Sequence, residues 1–171
     1  FNILIMKVLI TGSNGLLGQK LLHKLRKDDS VELVATSIGV NRISKKTGYK
    51  YISLDVTNKK EVEKVILAQK PHVVINTAAM TNVDLCEKSP MLARKINVDG
   101  VYNICDLFEG KIIQISTDYI FDGKTGPYKE EDVPLPLSSY GKTKLEAEEI
   151  VKNHNSNNLI IRGNVLYDYC K

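Results

Sequence analysis

A tyrosine and a lysine four residues apart, Tyr140 and Lys144, have the side chains in this sequence that are best suited to proton transfer. Because positions i and i+4 of a helix share a face, the phenol and the ammonium can point at the same spot. A phenol titrates near ~10 in water, and a lysine that lowered its pKa by about two units would stabilise the phenolate by roughly 3 kcal/mol. Tyr140 is therefore a candidate general acid for a carbonyl that is being reduced. The same spacing is also typical of a surface pair on an amphipathic helix.

Three glycines recur at a spacing of three residues near the start of the chain: Gly12, Gly15 and Gly18. The apolar run at 7–10 predicts a strand before them, and leucines at helical spacing over 16–25 predict a helix after them. Between a strand and a helix, such a turn brings backbone N–H groups to the pyrophosphate of a dinucleotide, where a Cβ would obstruct. An ordinary tight turn is the alternative. Together with Tyr140, the motif predicts an oxidoreductase that holds its dinucleotide with Gly12, Asn14, Gly15, Leu16, Leu17 and Gly18.

Length and composition indicate one globular domain over 1–171. The chain is 43% apolar and 26% charged, which is ordinary for a globular protein. Its net charge of +4 comes with scattered lysines, so nucleic acid is not an expected partner. No apolar run approaches the ~18 residues of a membrane span. Met6 resembles a natural start, so we expect residues 1–5 to lie upstream of it.

The cysteines and histidines show no metal-ligand spacing. Cys86, Cys105 and Cys170 lie far apart, which favours reduced thiols in the cytoplasm over a disulfide framework or a metal site. The three histidines are equally dispersed. We therefore expect no metal and assign these residues structural roles.

Strand and helix patterns alternate along the whole chain. Strands are predicted at 7–10, 31–35, 49–54, 72–76, 112–116 and 159–161, and helices at 16–25, 59–69, 89–108 and 139–153. This alternation predicts an α/β fold with a Rossmann-type, doubly wound parallel sheet in the order 3-2-1-4-5-6. Ligands of such sheets bind in the crevice at the carboxyl ends of the strands.

Small and polar residues follow three of these strands. They are Asp55 and Val56 after strand three, Asn76, Ala78 and Ala79 after strand four, and Thr117 after strand five. We predict Asp55 and Val56 at an adenine ring, although Asp55 could equally be a helix N-terminal residue. Small side chains after strand four let the backbone pass close to a flat ligand. Thr117 could donate to a substrate carbonyl beside Tyr140, or serve only as a turn hydroxyl.

The end of strand two bears on the choice of dinucleotide. NAD-selective sites place an acidic residue there, on the ribose 2′-hydroxyl. Here the strand ends at Ser37 without an acid, and Arg42, Lys45 and Lys46 follow. This pattern favours NADPH, or acceptance of both NADPH and NADH, with Ser37 and Arg42 at the ribose. A solvated basic loop is the alternative.

Several longer motifs resemble one protein family. The glycine turn, the segments at 55–56, 76–79 and 97–100, and Tyr-Gly-Lys-Thr-Lys at 140–144 resemble the extended short-chain dehydrogenase/reductases. Within that family, 78–84, Pro-Leu-Pro at 134–136 and Ser-Thr-Asp-Tyr-Ile-Phe-Asp-Gly at 116–123 are similar to the dTDP-4-dehydrorhamnose reductases. The regulatory beta subunit of methionine adenosyltransferase belongs to the same similar group. The resemblance covers the chain from Met6 to about Tyr167.

The resemblance implies roles for individual residues. Tyr140 would donate the proton, Lys144 would bind the nicotinamide ribose and Thr117 would hold the carbonyl. Asn97 would help to organise the site near the lysine, next to the cofactor. The substrate-binding positions implied are Thr81, Asp118, Tyr119 and Arg162.

The implied reaction is NAD(P)H-dependent reduction of the 4-keto group of dTDP-4-dehydro-L-rhamnose to dTDP-L-rhamnose, with a nucleotide-sugar as substrate. A regulatory NADP-binding subunit of methionine adenosyltransferase and another nucleotide-sugar epimerase or dehydratase are alternatives. Relatives are about twice as long, so the C-terminal substrate-binding portion is expected to be largely absent from this chain. The stretch between Asn97 and Ser116 looks short for a full helix and loop, so residues could be missing there. A homodimer is a further expectation from the resemblance.

Overall fold

A computed structural model of the protein describes residues 5–164. Its centre is one parallel sheet of six strands in the order β3-β2-β1-β4-β5-β6, which confirms the predicted order. The strands are β1 (Met6–Thr11), β2 (Val31–Ser37), β3 (Lys50–Ser53), β4 (Val73–Asn76), β5 (Lys111–Thr117) and β6 (Leu159–Gly163).

Helices connect the strands, except between β2 and β3, and pack on both faces of the sheet. They are α1 (Leu16–Leu25), α2 (Lys59–Gln69), α3 (Val83–Lys88), α4 (Pro90–Arg94), α5 (Gly100–Leu107) and α6 (Ser139–His154). A π-helical turn, Lys95–Asp99, joins α4 to α5, and a short 3-10 helix, Asp118–Ile120, follows β5. The predicted helix at 89–108 is thus interrupted by a π-helical turn, and α3 was not predicted.

The stretch between Asn97 and Ser116 is long enough for a helix and a connection, contrary to the expectation. The helix α5 runs to Leu107 and β5 begins at Lys111, so a three-residue connection suffices. Phe108 is buried in the core within this connection, and its ring lies against Gly110. A Cβ on residue 110 would come within 2.3 Å of that ring. Because glycine has no Cβ, the tight connection can form.

Side-chain alternation along the strands divides the core into two layers. Leu9 and Val74 pack with the inner faces of α2, α5 and α6, whereas Ile10 and Ile75 pack with α1. The inner face of α2 is formed by Val62, Val65 and Gln69, which are buried, and by Ile66, which packs against the same cluster. Both faces are therefore covered over β1, β2 and β4, whereas Leu159 and Ile161 of β6 remain exposed, and the edge where the strands end also stays open.

The structural roles of two cysteines are consistent with the fold. Cys86 in α3 and Cys105 in α5 are free thiols and buried, while Cys170 lies outside the described residues. Across residues 5–164, no three or more His, Cys, Asp or Glu side chains are grouped so as to hold a metal ion. Within the same range no helix has the length and apolar character needed to cross a membrane.

Candidate active site

The three positions of the turn after β1 require glycine for different structural reasons. Gly12 has a φ of +64°, and a Cβ there would lie 2.6 Å from the backbone nitrogen of Ala78. A Cβ on Gly18 would lie 2.7 Å from the carbonyl oxygen of Gly12. At Gly15 the nearest atom is the same oxygen at 3.2 Å, and the residue lines a cleft. Gly12 and Gly18 are thus required by packing, and Gly15 keeps the cleft wall open.

This cleft lies at the carboxyl edge of the sheet and has a volume of about 510 Å³. That size suits a small-molecule or cofactor site. Its walls are the start of α1, the connection after β4, the end of β5 and the first turns of α6. The predicted site residues that line it are Gly15, Leu16, Leu17, Gly18, Ala79, Thr81, Thr117, Tyr119, Tyr140 and Lys144.

Tyr140 stands in the first turn of α6 and is 9% exposed. Its ring meets the ring of Tyr119 edge-on, with 5.8 Å between centroids. Burial raises the pKa of the Tyr140 phenol, and a hydrogen bond with the Thr117 side chain opposes this shift. The expectation that Lys144 lowers the phenol pKa is therefore not what the structure gives, because desolvation outweighs the other influences. A phenol held in its protonated form keeps a proton to donate.

Lys144 follows one turn later on the same face of α6 and is 4% exposed. Its Nζ donates a hydrogen bond to the carbonyl oxygen of Ile115 in β5. Burial lowers the pKa of Lys144 to about 8, and the carboxylate of Glu148 opposes the shift. The amine therefore remains mostly charged at neutral pH while lining the cleft beside Tyr140.

Thr117 makes the contacts of a turn hydroxyl, and its donation to a substrate carbonyl stays a prediction. Its hydroxyl oxygen accepts from the backbone N–H of Tyr119 at 3.2 Å and donates to Asp118 Oδ1 at 3.2 Å, as a turn hydroxyl does. The same residue lines the cleft next to Tyr140. Tyr119 also lines this cleft, whereas Asp118 lines a separate surface depression beside β6.

Arg162 contacts other groups of the protein. Its side chain does not line the cleft but binds the buried carboxylate of Glu148, with Nη2 2.8 Å from Oε2, and donates to the backbone oxygen of Glu130 at 2.8 Å. The guanidinium also lies 5.5 Å from the centre of the Phe121 ring. The side chain thus holds α6 and the 121–130 segment together, and its contact with a substrate stays a prediction.

Two predicted asparagines face protein groups. The side chain of Asn76 accepts from Thr11 Oγ1 and donates to Gln114 Oε1, inside the sheet. Asn97, in the π-helical turn, accepts from Met80 N–H at 2.7 Å and donates to Thr143 Oγ1 at 3.0 Å. Asn97 therefore fastens the connection after β4 to α6, and its amide is occupied by these bonds.

The predicted adenine and ribose residues lie at the other end of the same edge. Asp55 accepts from Thr57 N–H at 2.9 Å, as expected if it is a residue at the start of a helix. Val56 is buried against Gly100. Asn14 donates to the oxygen of Val40 and accepts from the backbone N–H of Arg42, so it fixes the loop after β2 to the glycine turn. Ser37 ends β2, and its carbonyl accepts from the hydroxyl of Tyr51. The Arg42 side chain is exposed.

Two residues of the site were missed. A Cβ on Gly141 would lie 2.2 Å from the carbonyl oxygen of Tyr119, so this glycine lets α6 approach the 3-10 turn and brings Tyr140 to Thr117. Ser116 lines the cleft, and its buried hydroxyl has no hydrogen-bond partner within residues 5–164. For Gly141, the only signal in the sequence was that a glycine directly follows Tyr140. Ser116 carried none apart from its place beside Thr117.

The cleft fits a dinucleotide. It offers an open glycine wall at the N-terminus of α1, a hydroxyl of Ser116 that is free to bond, and an amine and a phenol side by side. Together with the parallel sheet and its strand order, these features define the Rossmann class of the extended short-chain dehydrogenase/reductases. The chain belongs to the RmlD substrate binding domain family, whose family model matches residues 6–171.

Known proteins of this group align over nearly the whole chain. Methionine adenosyltransferase 2 subunit beta from Bos taurus is 36% identical over 164 residues, which is 94% of this chain and 47% of the relative. The dTDP-4-dehydrorhamnose reductase structure from Clostridium acetobutylicum is 43% identical, with a TM-score of 0.80, and is aligned over 92% of this chain and 52% of that one. The reductase from Bacillus anthracis, solved in complex with NADP, is 32% identical with a TM-score of 0.80, over 98% and 56% of the two chains. The chain thus spans about half the length of the relatives it matches.

Proposed function

We propose that this chain is the dinucleotide-binding part of an NADPH-dependent oxidoreductase that reduces the 4-keto group of dTDP-4-dehydro-L-rhamnose to dTDP-L-rhamnose. The observation that carries the proposal is the convergence of Tyr140, Lys144 and Thr117 on one cleft whose opposite wall is the glycine turn. The similarity to dTDP-4-dehydrorhamnose reductases supports the choice of substrate.

The residues proposed to hold the dinucleotide follow the carboxyl edge of the sheet. The pyrophosphate would lie at Gly15 and the N-terminus of α1, the adenosine near Asp55 and Val56, and the nicotinamide ribose at Lys144. Bound nicotinamide supplies the hydride that the carbonyl carbon receives. The absence of an acid at the end of β2, together with the exposed Arg42, favours NADPH over NADH. NADP in the Bacillus anthracis reductase supports the same preference.

The chain's own groups would manage the proton and the charge. Thr117 would donate to the carbonyl oxygen and polarise it, and Tyr140 would transfer its proton to that oxygen as the alcohol forms. The phenolate that remains on Tyr140 would take a proton back from solvent, while the ammonium of Lys144, one helical turn away, would hold the nicotinamide ribose. Tyr119 and Thr81, at the mouth of the cleft, would contact the sugar. Cytoplasmic location and homodimer formation stay predictions.

A second candidate is a regulatory subunit that binds NADP without turnover. The 36% identity with methionine adenosyltransferase 2 subunit beta favours it. The same cleft would then hold NADP as a structural ligand, and Tyr140 would have no substrate to protonate. An epimerase or dehydratase acting on a nucleotide-sugar would use the tyrosine and lysine as proposed above but would show no net oxidation of the nucleotide.

The test uses the natural protein that contains this chain, with NADPH and dTDP-4-dehydro-L-rhamnose, and follows absorbance at 340 nm. The proposal predicts substrate-dependent loss of NADPH and formation of dTDP-L-rhamnose. NADPH binding without oxidation, together with binding to a methionine adenosyltransferase catalytic subunit in calorimetry, would establish the regulatory alternative. Interconversion of nucleotide-sugars with unchanged NADPH would favour an epimerase.

A further inference from the structure

Three polar side chains form a hydrogen-bonded row across the middle of the sheet. Thr11 in β1 is the register partner of Asn76 in β4, and Asn76 is the register partner of Gln114 in β5. Thr11 Oγ1 donates to Asn76 Oδ1 at 2.5 Å, and Asn76 Nδ2 donates to Gln114 Oε1 at 2.8 Å. All three residues are buried. We call this set Thr11, Asn76 and Gln114 the polar row.

The row ends at the carbonyl that holds Lys144. Gln114 Nε2 donates to the oxygen of Ile115 at 2.9 Å, and Lys144 Nζ donates to the same oxygen. Because Asn76 donates to Gln114 Oε1, the Gln114 amide is fixed with its nitrogen toward Ile115. The amide N–H and the ammonium therefore share one acceptor.

The other end of the row is buried behind Thr77, a residue that lines the cleft. Thr11 immediately precedes Gly12, its hydroxyl oxygen accepts from Ala78 N–H at 3.4 Å, and its carbonyl accepts from Thr77 Oγ1 at 2.6 Å. The row thus spans from the glycine turn and the connection after β4 to the amine on α6. Buried networks in which each member is satisfied have one arrangement and resist displacement.

We propose that Gln114 is a positioning residue for Lys144: held by Asn76, its amide shares the Ile115 carbonyl with the ammonium and so fixes the place of the amine in the cleft. Sharing has a chemical consequence as well, because the positive end of the amide N–H dipole faces the same oxygen as the ammonium. Gln114 therefore weakens the hold of that oxygen on the charged form of Lys144. The position of the amine is argued from the hydrogen bonds alone. Only its use, binding the nicotinamide ribose, rests on the proposed function.

The test is competitive labelling of lysines with acetic anhydride over a range of pH, read out for Lys144 by peptide mass spectrometry on the chain without any nucleotide. Lys144 is 4% exposed and lines the cleft, so the reagent would have to approach its amine from the cleft side. Gln114→Met removes the amide at similar side-chain volume. The charged and titratable groups near the amine, Tyr140 and Glu148 on α6 and Arg162 on β6 against Glu148, are the same in every variant.

The matched control is Thr36→Val. Thr36 is fully buried, and it donates to the backbone oxygen of Ile10 outside the polar row. In the wild type and in Thr36→Val we expect the same labelling midpoint, whereas Gln114→Met should raise it by about one pH unit, which is a tenfold change in proton affinity. If Gln114→Met does not fold, Gln114→Leu decides, because it also removes the amide, adds no charge and should raise the midpoint in the same direction.

A midpoint in the Gln114 variants that equals that of Thr36→Val would overturn the positioning role. NADPH binding by the wild type is measured separately by fluorescence titration. Absence of NADPH binding would count against the proposed function and leave the labelling result standing. An unmoved labelling midpoint with normal NADPH binding would count against Gln114 alone.

Discussion

The guanidinium of Arg162 forms three hydrogen bonds with the carboxylate of Glu148, a side chain with no exposed surface. Nε reaches both oxygens, at 3.0 and 3.2 Å, and Nη2 reaches Oε2 at 2.8 Å. Glu148 lies one turn after Lys144 on α6, and Arg162 lies on β6, so the pair joins the helix of the active site to the edge of the sheet.

Arg162→Met should destabilise the protein by about 3 kcal/mol, because it leaves a buried carboxylate without its main partner. The double variant Arg162→Met with Glu148→Met should recover most of that loss, since the unpaired buried carboxylate is then gone. Urea unfolding followed by circular dichroism measures both. Equal losses in the single and the double variant would show that the ion pair is not what the single substitution disrupts.

Gly18→Ala and Gly15→Val should separate packing from ligand binding. A Cβ at Gly18 meets backbone at 2.7 Å, so we expect Gly18→Ala to lose about 1–3 kcal/mol of stability. Gly15 has an extended backbone and faces the cleft, so Gly15→Val should fold normally and weaken NADPH binding at least about tenfold, or ~1.4 kcal/mol. Fluorescence titration and thermal melting provide the two readouts. Unaltered NADPH affinity in Gly15→Val would show that the turn is not at the pyrophosphate.

Arg42→Ala should reduce the affinity for NADPH about tenfold and leave the affinity for NADH unchanged, because only the 2′-phosphate requires a cation. Lys60→Ala is the matched control, because it also removes one positive charge but lies on the exposed surface of α2. Calorimetric titration with both nucleotides distinguishes a specific contact from general attraction. Equal weakening of NADPH and NADH binding would refute the assignment.

Cys105 should make stability depend on alkaline pH. Burial raises the pKa of its thiol to about 11, from an ordinary value of 9.0. The folded protein therefore holds the proton more tightly, so this stabilisation is complete below pH 9 and is lost as the pH rises through 11. Relative to Cys105→Ala, the wild type should lose about 1.4 kcal/mol between pH 8 and 10. A difference in unfolding free energy that stays constant over this range would contradict the burial of the thiol.

Much of the fold was predictable, because the spacing of hydrophobic residues indicates whether a segment is a helix or a strand and which of its faces is buried. The strand order and the bounds of α2 agree with the structure. The short helix α3 was not predicted, because its six residues hold too few turns for a periodic signal. Within the π-helical turn, Asn97 bonds to Met80 and Thr143, contacts that no local pattern reveals.

The site was predictable where its chemistry depends on local spacing. Tyr140 and Lys144 share a face of α6, and the glycine turn precedes α1, so both motifs could be interpreted from the sequence alone. The contacts of Arg162 could not be predicted from the sequence, because its partner Glu148 is brought to it by the packing of α6 on β6. The same reason applies to Gln114, whose role depends on register partners 38 residues away at Asn76.

The central claim is that Tyr140 gives the proton to the substrate oxygen in a cleft that holds NADPH through other residues. Its most direct test is Tyr140→Phe in the natural protein, with NADPH binding and substrate-dependent NADPH oxidation measured in parallel and the exposed Tyr102→Phe as control. The account predicts NADPH affinity within about twofold of the wild type and a loss of turnover of at least about a hundredfold. Turnover by Tyr140→Phe at the rate of the Tyr102→Phe control would contradict it.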